Sequence, residues 1–111
     1  MDKHNGYTNY ETWVINLWIS NEEASYNYYR DLARNIYNKA WDTKYLSKYE
    51  EACRNLAHEL EATYQSNMAD ILEKSGAENT VWSDLIGNAL SNVNWHEIAG
   101  QLLDEFSQVE A

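Results

Sequence analysis

Histidine, cysteine and paired carboxylates supply most catalytic and metal-binding chemistry, and this chain arranges few of them usefully. His96-Glu97-Ile98-Ala99-Gly100 opens like the zinc-protease pattern H-E-x-x-H, but Gly100 stands where the second imidazole is needed. Without two imidazoles one helical turn apart, zinc lacks its ligands. Glu97 reads better as a helix-capping residue. His58, beside Glu59 and Glu61, falls outside the apolar stripe of its helix and reads as a surface residue. His4 lies in the N-terminal tail, and the three histidines show no metal-ligand spacing. Cys53 sits on an apolar stripe beside Leu56, where a small core residue fits and a nucleophile does not. A reactive thiolate wants exposure near a cation or a helix N-terminus. The four glycines, at 6, 76, 87 and 100, spell no phosphate loop, and no G-x-S-x-G elbow occurs. Asp104 and Glu105 are adjacent in a helix and point about 100° apart, so they cannot flank one bond. These exclusions predict a non-enzyme with no catalytic residue, no cofactor and no metal.

Charge is the stronger signal. The 111 residues carry 18 acids and 8 bases, a net −10. Residues 1–55 hold eight acids and seven bases, net −1; residues 56–111 hold ten acids and the single base Lys74, net −9. The second half should repel nucleic acid and anionic membrane and be drawn to basic surfaces. Carboxylates one helical turn apart lie ~5–6 Å from each other, an order of distance similar to that of successive phosphates. An acidic face of Glu59, Asp70, Glu73, Asp84, Glu97, Asp104 and Glu105 could thus occupy a basic nucleic-acid channel, gaining from the same counterion release that draws DNA there. The plain alternative is that these acids only keep a small protein soluble.

The aromatic load is the second signal: five Trp and nine Tyr against a single Phe. Tyr26, Tyr28, Tyr37, Trp41 and Tyr45, with Tyr7, fit no apolar stripe. With Arg30 and Arg34 they could form a partner-binding patch, since Tyr, Trp and Arg are favoured interface anchors. The alternative is rings buried with hydroxyls in water.

The elements that position these groups read as helices. Thr8-x-x-Glu11 is a capping box, followed by Tyr10, Trp13, Val14, Leu17 and Trp18 on one helical face over 9–20. Ser20-Asn21 offers a stop and a new cap. Tyr29, Leu32, Ala33, Ile36 and Ala40 mark a second helix over 22–41, with Glu22 and Glu23 in its first turn. Ser47-x-x-Glu50 starts a register of Tyr49, Ala52, Cys53, Leu56, Leu60, Tyr64, Met68, Ile71 and Leu72. It predicts one long helix ending at a left-handed Gly76, or a pair broken near Ser66-Asn67. Asn79 or Thr80 caps a fourth helix with Trp82, Leu85, Ile86, Ala89 and Leu90 inward. Asn94-x-x-Glu97 caps a fifth, with Val93 and Ile98 as a hydrophobic staple and Trp95, Ile98, Ala99, Leu102, Leu103 and Phe106 buried. The run from Trp82 to Leu90 aligns with the run from Trp95 to Leu103, each with a glycine on the same flank. A glycine inside a helix costs ~1 kcal/mol against Ala, and close helix approach would offset it.

No stretch alternates cleanly, so no sheet is expected. The prediction is all-α: a flexible tail over 1–8 and a single domain over 9–108, a compact bundle of about five helices, the last two a helical hairpin. No apolar run approaches a membrane span, and the N-terminus lacks the apolar core of a signal peptide. One cysteine permits no internal disulfide and points to the reducing cytoplasm.

Asn9-Tyr10-Glu11-Thr12-Trp13, continuing to Asn16-Leu17-Trp18, together with Val93-Asn94-Trp95-His96-Glu97-Ile98-Ala99, resembles an uncharacterised family of small phage- and plasmid-encoded proteins. In size and acidity the chain is also similar to antirestriction and anti-CRISPR inhibitors, a likeness of style rather than motif. The resemblance implies an inhibitor of a host nucleic-acid-handling defence complex. It would bind a basic protein surface on a host nuclease or CRISPR effector, by mimicry or as a wedge, in the bacterial cytoplasm, without touching nucleic acid or membrane. A scaffold or regulatory protein acting through the aromatic patch, as a homodimer, is the alternative.

Overall fold

The computed structural model describes residues 4–110, and their side chains over 4–105. Among these residues five helices form: α1 (Tyr10–Asn21), α2 (Glu23–Lys39), α3 (Lys48–Ser75), α4 (Val81–Ser91) and α5 (Trp95–Glu110). No strand forms among them. The architecture is the all-α bundle that the apolar periodicities predict.

α2, α3 and α5 pack mutually and enclose the core, while α1 lies against α2 and α5. Leu56 and Leu60 of α3, Ile98 and Leu103 of α5, and Ile19 of α1 are fully buried. Phe106, expected on the same face, lies outside the described side chains. α3 is continuous through Ser66 and Asn67. At 1.5 Å per residue its 28 residues span about 42 Å, nearly the molecule's 45 Å long axis. α2 and α5 are shorter, with 17 and 16 residues, and cover only part of that length. The far end of α3 is left to α4.

The helix ends follow their capping chemistry. Ser47 Oγ accepts from Glu50 N at 3.1 Å and opens α3. Gly76 closes it at φ +73°, a left-handed conformation that costs glycine little. Two starts differ from expectation. α1 is capped by Asn9, whose Oδ1 accepts from Thr12 N at 2.9 Å, rather than by Thr8. α2 starts after Glu22, because α1 runs on through Ser20 and Asn21.

Two apolar faces are corrected. In α1 the buried line is Thr12 and Ile19, with Ile15 packed beside it, while Tyr10 and Trp18 are exposed. That helix is apolar on nearly every side, so spacing alone does not single out the inner one. In α4 three of the five residues expected inward are turned out: Trp82 is 61% exposed, Leu85 56% and Ile86 38%, and Val81 beside them is exposed too. Only Leu90 is buried, and Ser83 and Gly87 share its side of the helix. α4 and α5 are consecutive across Asn92-Val93-Asn94, but α4 packs chiefly on α3 while α5 returns to the core.

Residues 4–7, part of the expected tail, fold into a turn. His4 and Tyr7 exchange two backbone hydrogen bonds of 2.8 Å around Asn5 and Gly6, both at positive φ. That is the Asn-Gly preference of a two-residue hairpin. The His4 ring packs 5.2 Å from Tyr10 and 4.8 Å from Trp13.

Candidate functional site

The two segments that carry the family resemblance dock on each other. Thr12, fully buried, donates from Oγ1 to Asn9 Oδ1 at 2.6 Å and accepts from Asn94 N at 2.8 Å. Asn9 Nδ2 donates to Asn92 O at 2.6 Å. Asn94 Oδ1 accepts from Glu97 N at 3.1 Å and so caps α5, while its amide nitrogen reaches Thr8 Oγ1 at 3.2 Å. Glu97 Oε1 accepts from Thr8 N at 3.1 Å. Tyr7 donates to Gln101 Oε1 at 2.9 Å and accepts from Asn16 Nδ2 at 2.6 Å. The motif residues are therefore reciprocal caps of two helix starts that otherwise leave free N–H groups. They build no reactive constellation.

The seven acids of the candidate face divide. Glu59, Asp70 and Glu73 fall within about 60° of one another around the α3 axis at 100° per residue, and all three are exposed. Asp84 is exposed on α4. Among the described residues the ion pair in this region joins Asp70 to Lys74, at 3.0 Å. Glu97 is engaged with Thr8, Asp104 accepts from the Tyr49 hydroxyl at 2.9 Å, and Glu105 is half-buried. The exposed acids without a hydrogen bond to another element thus gather along the outer stripe of α3 and on α4, whereas Glu97 and the exposed Asp104, two of the three candidate acids on α5, hold structural bonds.

The aromatic candidates also divide. Tyr26, Arg30 and Arg34 recur every four residues on one side of α2, where the Arg30 guanidinium lies 5.7 Å from the Tyr26 ring. Asp31 sits 4.0 Å from Arg30 and 3.7 Å from Arg34. Tyr28 projects from the opposite side of α2 and meets Tyr29 edge-on at 5.0 Å. Trp41 and Tyr45 stand in the α2–α3 connection, 73% and 82% exposed. That connection is ordered by Thr43, whose Oγ1 accepts from Leu46 N at 2.9 Å. The structure therefore gives an α2 stripe and a separate aromatic loop.

The grooves hold little chemistry. One of about 440 Å³ brings His58, Glu61 and His96 together with Asn94 and Trp95. The sequence treated these histidines singly; only the α3–α5 packing brings them to one groove. Cys53 lines a second groove with Tyr49, Arg54 and His96. Burial, with Asp104 nearby, pushes its thiol up, so it stays protonated and a weak nucleophile. Burial and the Asp104 hydrogen bond raise the Tyr49 hydroxyl to about 12. Among the described residues no group of three or more His, Cys, Asp or Glu could hold a metal ion. No helix there is long and apolar enough to cross a membrane.

The residues that the apolar spacing placed on the wrong side are Trp82, Leu85 and Ile86, and Val81 joins them on the exposed face. One signal is local: the side of α4 that carries Ser83, Gly87 and the buried Leu90 has no charged residue.

Residues 1–108 match the model of a family described as a family of unknown function (DUF7249), and the chain belongs to that family. No curated protein and no solved structure matches it.

Proposed function

We propose that this protein is a binding module that engages a basic surface on a nucleic-acid-handling protein. Its likeness in style to acidic inhibitors extends the reading to a host-defence complex, a nuclease or CRISPR effector, as target. The observation that carries it is the exposed acid set Glu59, Asp70, Glu73 and Asp84, with Lys74 as the single countercharge of residues 56–111.

Charge density favours a wedge over a phosphate replica. From Glu59 to Glu73 the helix rises about 21 Å and carries three acids on its outer stripe. Duplex DNA carries about twelve charges over that length. Carboxylates this sparse steer encounter and orient the partner, but they do not reproduce a duplex. Affinity must come from other contacts.

Immobilised protein exposed to a bacterial lysate tests this. The wild type is expected to retain basic nucleic-acid-binding proteins that raised salt releases. The Glu59→Lys/Asp70→Lys/Glu73→Lys/Asp84→Lys variant is expected to lose them. Equal retention by the variant, or a retained set without nucleic-acid-handling proteins, overturns the reading.

A second reading, a regulatory scaffold or homodimer, rests on Trp41 and Tyr45, two large aromatics held out on an ordered connection. Sedimentation equilibrium separates the two: self-association lost in Trp41→Ala/Tyr45→Ala favours the scaffold.

A further inference from the structure

α4 presents its apolar residues to solvent in one continuous ridge. Val81, Trp82, Leu85 and Ile86 stand at positions i, i+1, i+4 and i+5, which share one side of a helix. Together they expose on the order of 400 Å² of apolar surface, the size of the largest patch on a typical monomer, which is often a functional one. The ridge is fixed in place. Gly76 and Asn79, both at positive φ, shape its approach, and Ser83 Oγ accepts from Thr80 N at 3.1 Å at its start. At its end Leu90 and Val93 are buried in the core cluster, and Asn92 O is held by Asn9. Rolling the ridge inward would pull Leu90 and Val93 out.

The surroundings select the occupant. Asp84 flanks the ridge on α4 itself, Glu78 precedes it, and Glu73 stands on the adjoining end of α3; all three are exposed. α4 carries no Lys or Arg. An anionic lipid surface or a nucleic acid would be repelled by this rim. A second copy would bring two anionic ends together and bury on the order of 800 Å² in total, about half of a standard interface. A cationic protein segment meets both conditions, covering the ridge with apolar side chains and the rim with Lys or Arg.

We infer that the α4 ridge is the anchor of this protein's interface and docks a cationic amphipathic helix of its partner, apolar face on Val81, Trp82, Leu85 and Ile86, basic flank on Glu73, Glu78 and Asp84. The inference rests on the binding-module reading and supplies the affinity that the sparse acids cannot.

The test is a nitrogen-15 NMR titration of the full chain with a synthetic helical peptide, leucines on one face and lysines on its flanks. A scrambled peptide of the same composition is the control. Shifts are expected over 81–91 and at 73 and 78, with affinity falling at least about tenfold in Trp82→Ser/Leu85→Ser and in the scrambled peptide. Both substitutions are at exposed positions, and an unchanged thermal melt verifies the fold; Leu85→Ser alone serves if it shifts. Undiminished binding by the variant overturns the inference. So do shifts centred elsewhere, a dimer abolished by Trp82→Ser, or Trp82-dependent binding to phosphatidylcholine vesicles. In the lysate experiment, loss on charge reversal with none on ridge substitution sinks the ridge alone. Retention that survives charge reversal sinks the binding-module reading itself.

Discussion

α4 and α5 carry nearly the same apolar pattern and meet opposite fates. Trp82 and Trp95 occupy equivalent positions, one 61% and the other 7% exposed. Leu85 is 56% exposed, and its counterpart Ile98 is fully buried. The difference is supplied by neighbours. α5 is enclosed by α1, α2 and α3, whereas α4 meets chiefly the projecting end of α3. Periodicity says that a helix has an apolar face, and the rest of the chain decides whether that face is covered. An apolar face left open beside a cluster of acids is the feature to explain by binding.

The sharpest test of the contrast is truncation at the covered position. Ile98→Ala leaves a cavity in the core and is expected to cost about 2–5 kcal/mol by denaturant unfolding. Thr12→Val comes next. It strands Asn94 N–H and removes a bond to Asn9, so a loss of about 1–3 kcal/mol is expected. A loss under ~0.5 kcal/mol would show that water replaces the hydroxyl.

A smaller effect is expected at alkaline pH, within the core of α2, α3 and α5 and not at α4, which has no tyrosine. Burial raises the hydroxyls of Tyr29, Tyr64 and Tyr49, the last to about 12. The native state therefore holds its phenol protons more tightly than the unfolded chain. Their contribution is complete below pH ~10 and is lost as pH rises through the folded values. Thermal melts should fall from pH ~10 upward, and Tyr49→Phe should flatten that decline; an unchanged slope would remove Tyr49 from the account. The smallest effect is expected at the open face, where Leu85→Ala should change stability by no more than about 0.5 kcal/mol. A value like that of Ile98→Ala would mean that α4 is covered in solution.

What the sequence made legible was local. Ser47 and Gly76 bound α3 as their chemistry requires, and Val93 and Ile98 are both buried as the staple predicts. What it hid was tertiary. Thr8 looks like a cap for α1, yet it serves α5, because Asn9 does the capping and leaves Thr8 free to bond Asn94 and Glu97. The paired glycines are not explained by close approach. A Cβ at Gly87 would meet nothing within 4 Å, and one at Gly100 would meet only the Tyr49 hydroxyl, at an ordinary 3.5 Å. The acidic stripe on α3 follows from residue spacing, but the engagement of Asp104 by Tyr49 joins residues 55 positions apart and has no local signature.

The bonds between the two motif segments set an order of events for a chain leaving the ribosome. They join residues 82 to 89 positions apart, and closing a loop of that length costs about 4 kcal/mol of chain entropy. α1 is translated first, yet the buried hydroxyl of Thr12 has no partner at its far side until Asn94 has emerged. The bonds at the start of α1 must therefore wait until residues 92–97 have left the ribosome, so docking of α1 on α5 comes late.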